Sequence, residues 1–185
     1  ILRQDPDIVM VGEMRDIETA QIGIQASLTG HLVLSTVHTN SAVAAITRLR
    51  DMGIESFLLA SSLRTIISQR LVRRLCLNCR YDDESTNDIA KLFKLNIGQK
   101  IYKSKGCDKC SYTGYQGRIA IAECIQVDKP LKEMIHNNSS ETEISNYVFK
   151  DNQSIDKASQ DLLINGITSA DELIRVGNLK EDAEL

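Results

Sequence analysis

The sequence has little of several things. Among 185 residues there is no tryptophan, only three phenylalanines and two prolines, and aromatics make up 4%. So few rings oppose a base-stacking surface for single-stranded nucleic acid. No apolar run approaches the roughly 18 residues that a membrane span needs. The formal net charge is -3, so no overall basic excess points to nucleic acid or anionic lipid. Five cysteines are few for a disulfide scaffold but enough for one metal site. No internal repeat or low-complexity tract is present, and the start, Ile1-Leu2-Arg3-Gln4-Asp5, has neither an initiator methionine nor a signal-peptide pattern. It reads as part of a longer protein. What is there, 42% hydrophobic and 25% charged residues in 20.6 kDa, excludes wholesale disorder and allows one compact domain with a smaller appended unit.

The fold class is α/β. Ile8-Val9-Met10-Val11 is an unbroken apolar run, as expected of a parallel strand buried on both faces. Asp16 can cap a helix whose apolar positions Ile17, Ala20, Ile24 and Leu28 recur at helical spacing, with Gly30 at its C-terminal cap. A second buried strand, His31 to His38, completes a βαβ unit. Ser41 opens a helix through Asp51, closed by Gly53, and residues 55–74 read as one long helix. Five arginines and no acid fall between Arg64 and Arg80, which suits a helix C-terminus and a solvated face or a phosphate or partner contact. Residues 118–125 read as a strand, with Cys124 as a small core residue. Beyond Pro130 the pattern is helical, with capping boxes at Ser140-x-x-Glu143 and Ser169-x-x-Glu172. From 151 to 185 eight acids outnumber three bases.

Cys76-x-x-Cys79 and Cys107-x-x-Cys110 are two knuckles separated by 27 residues. Two such pairs close a tetrahedral four-thiolate shell, a structural zinc geometry with no open position for substrate. Disulfides or a redox pair compete, but no secretory pattern or thioredoxin-like unit favours them. The stretch between the knuckles is poor in apolar residues, so metal ligation is expected to supply its order.

Glu13 follows the first strand and His38 ends the second. In open parallel sheets ligands gather outside the carboxyl ends of strands, so Glu13, Arg15, Asp16, Thr36, His38 and Thr39 can converge on one crevice suited to phosphate chemistry. Spacing alone equally describes a solvated glutamate and a neutral, hydrogen-bonded imidazole.

The string Gln4-Asp5-Pro6-Asp7-Ile8-Val9-Met10-Val11-Gly12-Glu13-Met14-Arg15-Asp16 closely resembles the Walker B segment of the secretion ATPase superfamily, the GspE/PilB type of type II secretion and pilus motors. Thr29-Gly30-His31-Leu32-Val33-Leu34-Ser35-Thr36-Val37-His38-Thr39-Asn40 resembles its His box. Asp51-Met52-Gly53-Ile54, residues 69–76 and Thr113-Gly114-Tyr115-Gln116-Gly117-Arg118 follow in that family's order. The paired cysteines are similar to the metal-binding subdomain of the GspE/PilB type, and residues 56–63 read more like the GspE branch. Met14 stands where isoleucine is usual, a volume-conserving swap.

The resemblance implies a partial RecA-like parallel sheet with helices: residues 1–75 as the C-terminal part of the ATPase core, 76–112 as a tetracysteine zinc subdomain, 113–127 as a strand returning to the core, and 128–185 as a small helical subdomain. It implies that Glu13 is the Walker B glutamate orienting water or the magnesium shell and that His38 senses the γ-phosphate. Arg15, Asp16, Thr36 and Thr39 would bind nucleotide, while Arg70, Arg73 and Arg74 would support packing or a subunit contact. Structural zinc is the implied metal, with ATP and magnesium in the full-length protein. The implied assembly is a cytoplasmic homo-hexamer, peripheral to the inner membrane and working on platform proteins there, with no direct nucleic-acid partner. A phosphate-binding loop needs a Gly-Lys pair, and none occurs in these residues, so the chain alone is expected not to turn over ATP. The equivalent part of a pilus-assembly ATPase and a non-enzymatic zinc-ribbon module stand as alternatives.

Overall fold

A computed structural model describes residues 6–150 and 152–177. The elements run β1 (Ile8–Val11), α1 (Ile17–Leu28), β2 (Leu32–Ser35), α2 (Ala42–Asp51), α3 (Ser56–Ser62), β3 (Thr65–Leu75), β4 (Arg80–Glu84), α4 (Asn87–Phe93), β5 (Lys100–Ser104), β6 (Tyr115–Gln126), α5 (Lys129–His136), α6 (Glu141–Val148), α7 (Ile155–Ile164) and α8 (Ala170–Gly177). Three two-stranded sheets form among the described residues: β1 with β2, β3 with β6, and β4 with β5. The described residues divide into two compact units, one within 6–68 and 124–152 and the other within 69–123 and 153–177.

In the first unit β1 and β2 run parallel, in register from Ile8 opposite Leu32 to Val11 opposite Ser35. Helix α1 connects them. Asp16 caps it as expected, accepting from the Thr19 N–H at 2.8 Å. Its inward positions Ala20, Gly23, Ile24 and Ala26 are buried. A Cβ at Gly23 would stand 2.4 Å from Met14 Cε, so glycine there lets Met14 seat the loop after β1 against the helix. The strands are not buried on both faces, however. Ile8 and Met10 are 60% and 76% exposed, and Leu32 and Leu34 opposite them are also exposed, because the described helices cover only the other face. The core of this unit joins α1, α2 and α3 to α5 and α6 through Ile24, Ile46, Leu59, Leu131, Ile135 and Ile144. Burying each such side chain contributes roughly 1.5–3 kcal/mol. Arg50 on α2 donates to the Ile135 and Ser139 carbonyls at 2.9 and 3.1 Å, placing a cation on the C-terminal end of α5. The Ser140 and Glu143 capping box forms in full on α6.

Residues 55–74 are not one helix. The helix stops at Ser62, and Thr65–Leu75 is a long strand paired with β6. Thr65, Ile66, Ile67 and Val72 are β-branched, and pairing with a partner some fifty residues later decides the outcome over helical spacing. Cys124 is exposed rather than core: period-two alternation turns Ile121, Glu123 and Ile125 inward.

In the second unit the stretch between the knuckles carries its own packing. β4 and β5 form an antiparallel hairpin, and Phe93 of α4 and Ile101 of β5 join Val72, Ile121, Leu163 and Leu173 in one cluster. Apolar burial, and not ligation alone, therefore orders that stretch. At α8 Ser169 Oγ accepts from the Glu172 N–H at 3.3 Å, but the Glu172 carboxylate does not return to close the expected box. Instead it is fully buried and accepts from the backbone N–H and guanidinium of Arg73 and from Arg175, all at 2.7–2.9 Å. Burial pushes this carboxyl up, yet the arginine hydrogen bonds outweigh it and bring it down to about 2.

Candidate functional site: a carboxylate–imidazole pair and a four-cysteine cluster

Beyond β1 and β2 the two chains stay together. Met14 N–H donates to the Thr36 carbonyl at 2.9 Å, and Thr36 Oγ1 donates to the Gly12 carbonyl at 2.8 Å. That extension brings Glu13 beside His38: Oε1 of Glu13 lies 3.0 Å from His38 Nε2, and Oε2 lies 2.6 Å from Arg15 Nη2. The Arg15 hydrogen bond holds the Glu13 carboxyl below its usual range, and Glu13 in turn raises Arg15. An ionised carboxylate only accepts, so Nε2 carries the hydrogen in this contact. The pair lies open: the Arg15 and His38 side chains are 76% and 85% exposed, against 20% for Glu13. An ion pair in water contributes little to stability, so its significance is positional.

The other expected residues of the crevice are occupied in shaping backbone. Asp16 serves the α1 cap, which holds its carboxyl below the usual range. Thr36 holds Gly12, and Thr39 Oγ1 donates to the Ser41 carbonyl at 3.0 Å. Glu13, Arg15 and His38 are thus brought into contact; Asp16, Thr36 and Thr39 build the loops that carry them. Of the arginine run, Arg73 joins Glu172 and Arg70 donates to the Val176 carbonyl at 3.1 Å.

In the second unit the four sulfurs of Cys76, Cys79, Cys107 and Cys110 lie within 4.8 Å of one another. The contacts Cys76–Cys107, Cys79–Cys110 and Cys107–Cys110 measure 3.9, 3.8 and 3.8 Å. Four sulfurs about 2.3 Å from a central ion at tetrahedral angles would stand about 3.8 Å apart, whereas a disulfide would need about 2.05 Å. The donor set fits a tetrahedral thiophilic ion. Burial takes the Cys79 thiol up to about 11; at Cys110 burial also raises the thiol, but hydrogen bonds, led by the N–H donors of Cys107 and Gly114, each 3.2 Å from Sγ, outweigh it and bring it to about 6. Spacing reveals the cysteines but not these donors. The nearest sequence signal for them is the glycine four residues beyond Cys110.

A family model described as Type II/IV secretion system protein matches residues 1–175. The chain belongs to this family. Type II secretion system protein E of Aeromonas hydrophila is 50% identical over 178 residues, covering 95% of this chain and 36% of that protein. Type II secretion system ATPase E of Vibrio cholerae is 51% identical over 178 residues, again 95% of this chain and 35% of its own length. The family member described here therefore spans little more than a third of the curated relatives it matches. A crystal structure of the pilus retraction motor PilT with bound ADP aligns with a TM-score of 0.65 at 24% identity, over 94% of this chain and 40% of that one. The ATPase DotB of Legionella pneumophila aligns at 0.63 and 21% identity, over 97% and 40%. These two show the fold, an α/β arrangement shared with such ATPases. No described helix is long and apolar enough to cross a membrane.

Proposed function

We propose that this chain supplies one wall of the nucleotide site of a type II secretion ATPase, the cytoplasmic motor that couples ATP hydrolysis to pseudopilus assembly and protein export. The observation that carries this reading is the 3.0 Å contact between Glu13 and His38 at the carboxyl ends of two parallel strands. Arg15 favours the ionised form of Glu13, whose carboxylate would accept from the attacking water or from the hydration shell of a bound magnesium ion. His38 holds one transferable hydrogen bond. Passing Nε2–H from Glu13 to a phosphate oxygen frees Oε1 to orient the attacking water, which links the nucleotide's state to the base. Asp16, Thr36 and Thr39 contribute by fixing the loops. Phosphoryl transfer depends on positioning, and the Gly-Lys cradle it needs does not occur in these residues, so the chain alone does not turn over ATP.

Cys76, Cys79, Cys107 and Cys110 hold a structural zinc ion in this reading; with four thiolates no position is left for substrate. In the full motor the core, zinc and helical parts act within a hexamer at the inner-membrane platform. The test is a chimaera in which residues 1–175 replace the matching segment of the Vibrio cholerae ATPase. It should hydrolyse ATP and restore export, while the separate chain should show no magnesium-dependent turnover above blank. A chimaera that assembles but neither binds nor hydrolyses ATP would overturn the proposal, as would turnover by the separate chain.

A further inference from the structure

We infer that Gly114 is a positioning residue of the four-cysteine site, holding one cysteine of each pair through its own backbone. The inference rests on reading that cluster as a zinc site. The Gly114 N–H donates to Cys110 Sγ at 3.2 Å, and its carbonyl accepts from the Cys76 N–H at 2.9 Å. Cys76 opens the first pair and Cys110 closes the second, so one residue touches both knuckles. The adjoining Thr113 Oγ1 donates to the Cys110 carbonyl at 2.6 Å and fixes the approach of the turn.

Only glycine meets the geometry. Gly114 has φ of +78°, and a Cβ there would stand 2.4 Å from Ser104 Cβ and 2.8 Å from its Oγ. Relieving that clash moves the turn away from β5 and takes the N–H off the sulfur. Donors to a ligating atom fix its direction and spread its charge, and losing such a partner weakens metal binding by roughly 10–100-fold. Gly117, in the same Thr113–Arg118 motif, supplies the comparison: its φ of +75° is nearly the same, yet a Cβ there would meet nothing within 4 Å.

The test titrates cobalt(II) into the reduced, metal-free chain and then competes it with zinc and a chelator. Wild-type chain should take one cobalt with the sulfur-to-metal charge-transfer bands of four thiolates. Gly114→Ala should bind roughly 10–100-fold more weakly, with altered bands. Gly117→Ala should match wild type in affinity and spectrum, although both alanines strain the backbone alike. Should Gly114→Ala fail to fold, Gly114→Ala with Ser104→Gly removes the side chain that the new Cβ meets, and this double variant should recover the affinity and spectrum of Ser104→Gly alone. Wild-type affinity in Gly114→Ala, an equal loss in Gly117→Ala, or no recovery in the double variant overturns the inference while leaving the zinc reading intact. A wild-type chain that takes up no cobalt through its thiolates overturns both.

Discussion

Glu13 is held between two hydrogen-bond donors of different kinds, a guanidinium at 2.6 Å and an imidazole at 3.0 Å. Arg15 is the main cause of its lowered pKa, so Arg15→Ala should raise the Glu13 titration midpoint toward the ordinary carboxylate range, read by carbon-detected NMR. An unmoved midpoint would mean that the contact is not populated in solution. Thermal stability should hardly respond, because the pair lies in water. Cys124 gives a second test. With zinc bound, it should be the one thiol that reacts with a disulfide reagent, and after chelation all five should react. The proximity of Glu13 and His38 was legible, since adjacent strand ends follow from an apolar run, a capped helix and a second run. The solvent side of Cys124 was not: it depends on the phase of β6, where a charged residue, Glu123, shares the inward face with isoleucines.

Among the elements, the junction of β3 and α8 shows most plainly what local patterns miss. Ser169-x-x-Glu172 reads as a capping box, but the carboxylate is taken by Arg73, 99 residues earlier in the chain. No window of sequence contains both partners. Glu172 is fully buried but the Arg73 and Arg175 side chains are 39% and 57% exposed, so Glu172→Gln should lower unfolding free energy by about 1.5–3 kcal/mol, the range for hydrogen bonds to charged groups, measured by urea titration. The pH dependence has a definite sign. The Glu172 carboxyl falls from 4.5 to about 2 on folding, so its contribution is complete above pH 4.5 and disappears as pH falls toward 2. The shift corresponds to about 3 kcal/mol, and the Gln variant should lack that part of the acid loss. Where the deciding interaction is local, sequence sufficed: Asp16 and Ser140 cap the helices expected of them. Losing the second, by Ser140→Ala, should cost about 1 kcal/mol in the same measurement.

At the scale of the whole molecule, two cores that share no residue imply two responses to metal removal. Chelation should speed amide exchange around residues 76–80 and 105–116 in the second unit, while α4, β5 and α7 keep protection from their apolar cluster. The first unit should not respond. Collapse of α4 and β5 on chelation would return the ordering of that stretch to the metal alone. The cysteine spacing announced the cluster, whereas the packing of Phe93 and Ile101 against α7 depended on contacts across more than sixty residues. The exposed face of β1 and β2 was likewise hidden in the sequence, because four apolar residues in a row do not say what covers them. The most direct test of the central claim is ATP turnover by the Vibrio cholerae chimaera carrying Glu13→Gln. It should bind ATP as the parent chimaera does and lose roughly 10²–10⁴-fold in turnover, the range for a positioned base. Turnover equal to the parent's would contradict a catalytic role for the carboxylate that His38 contacts.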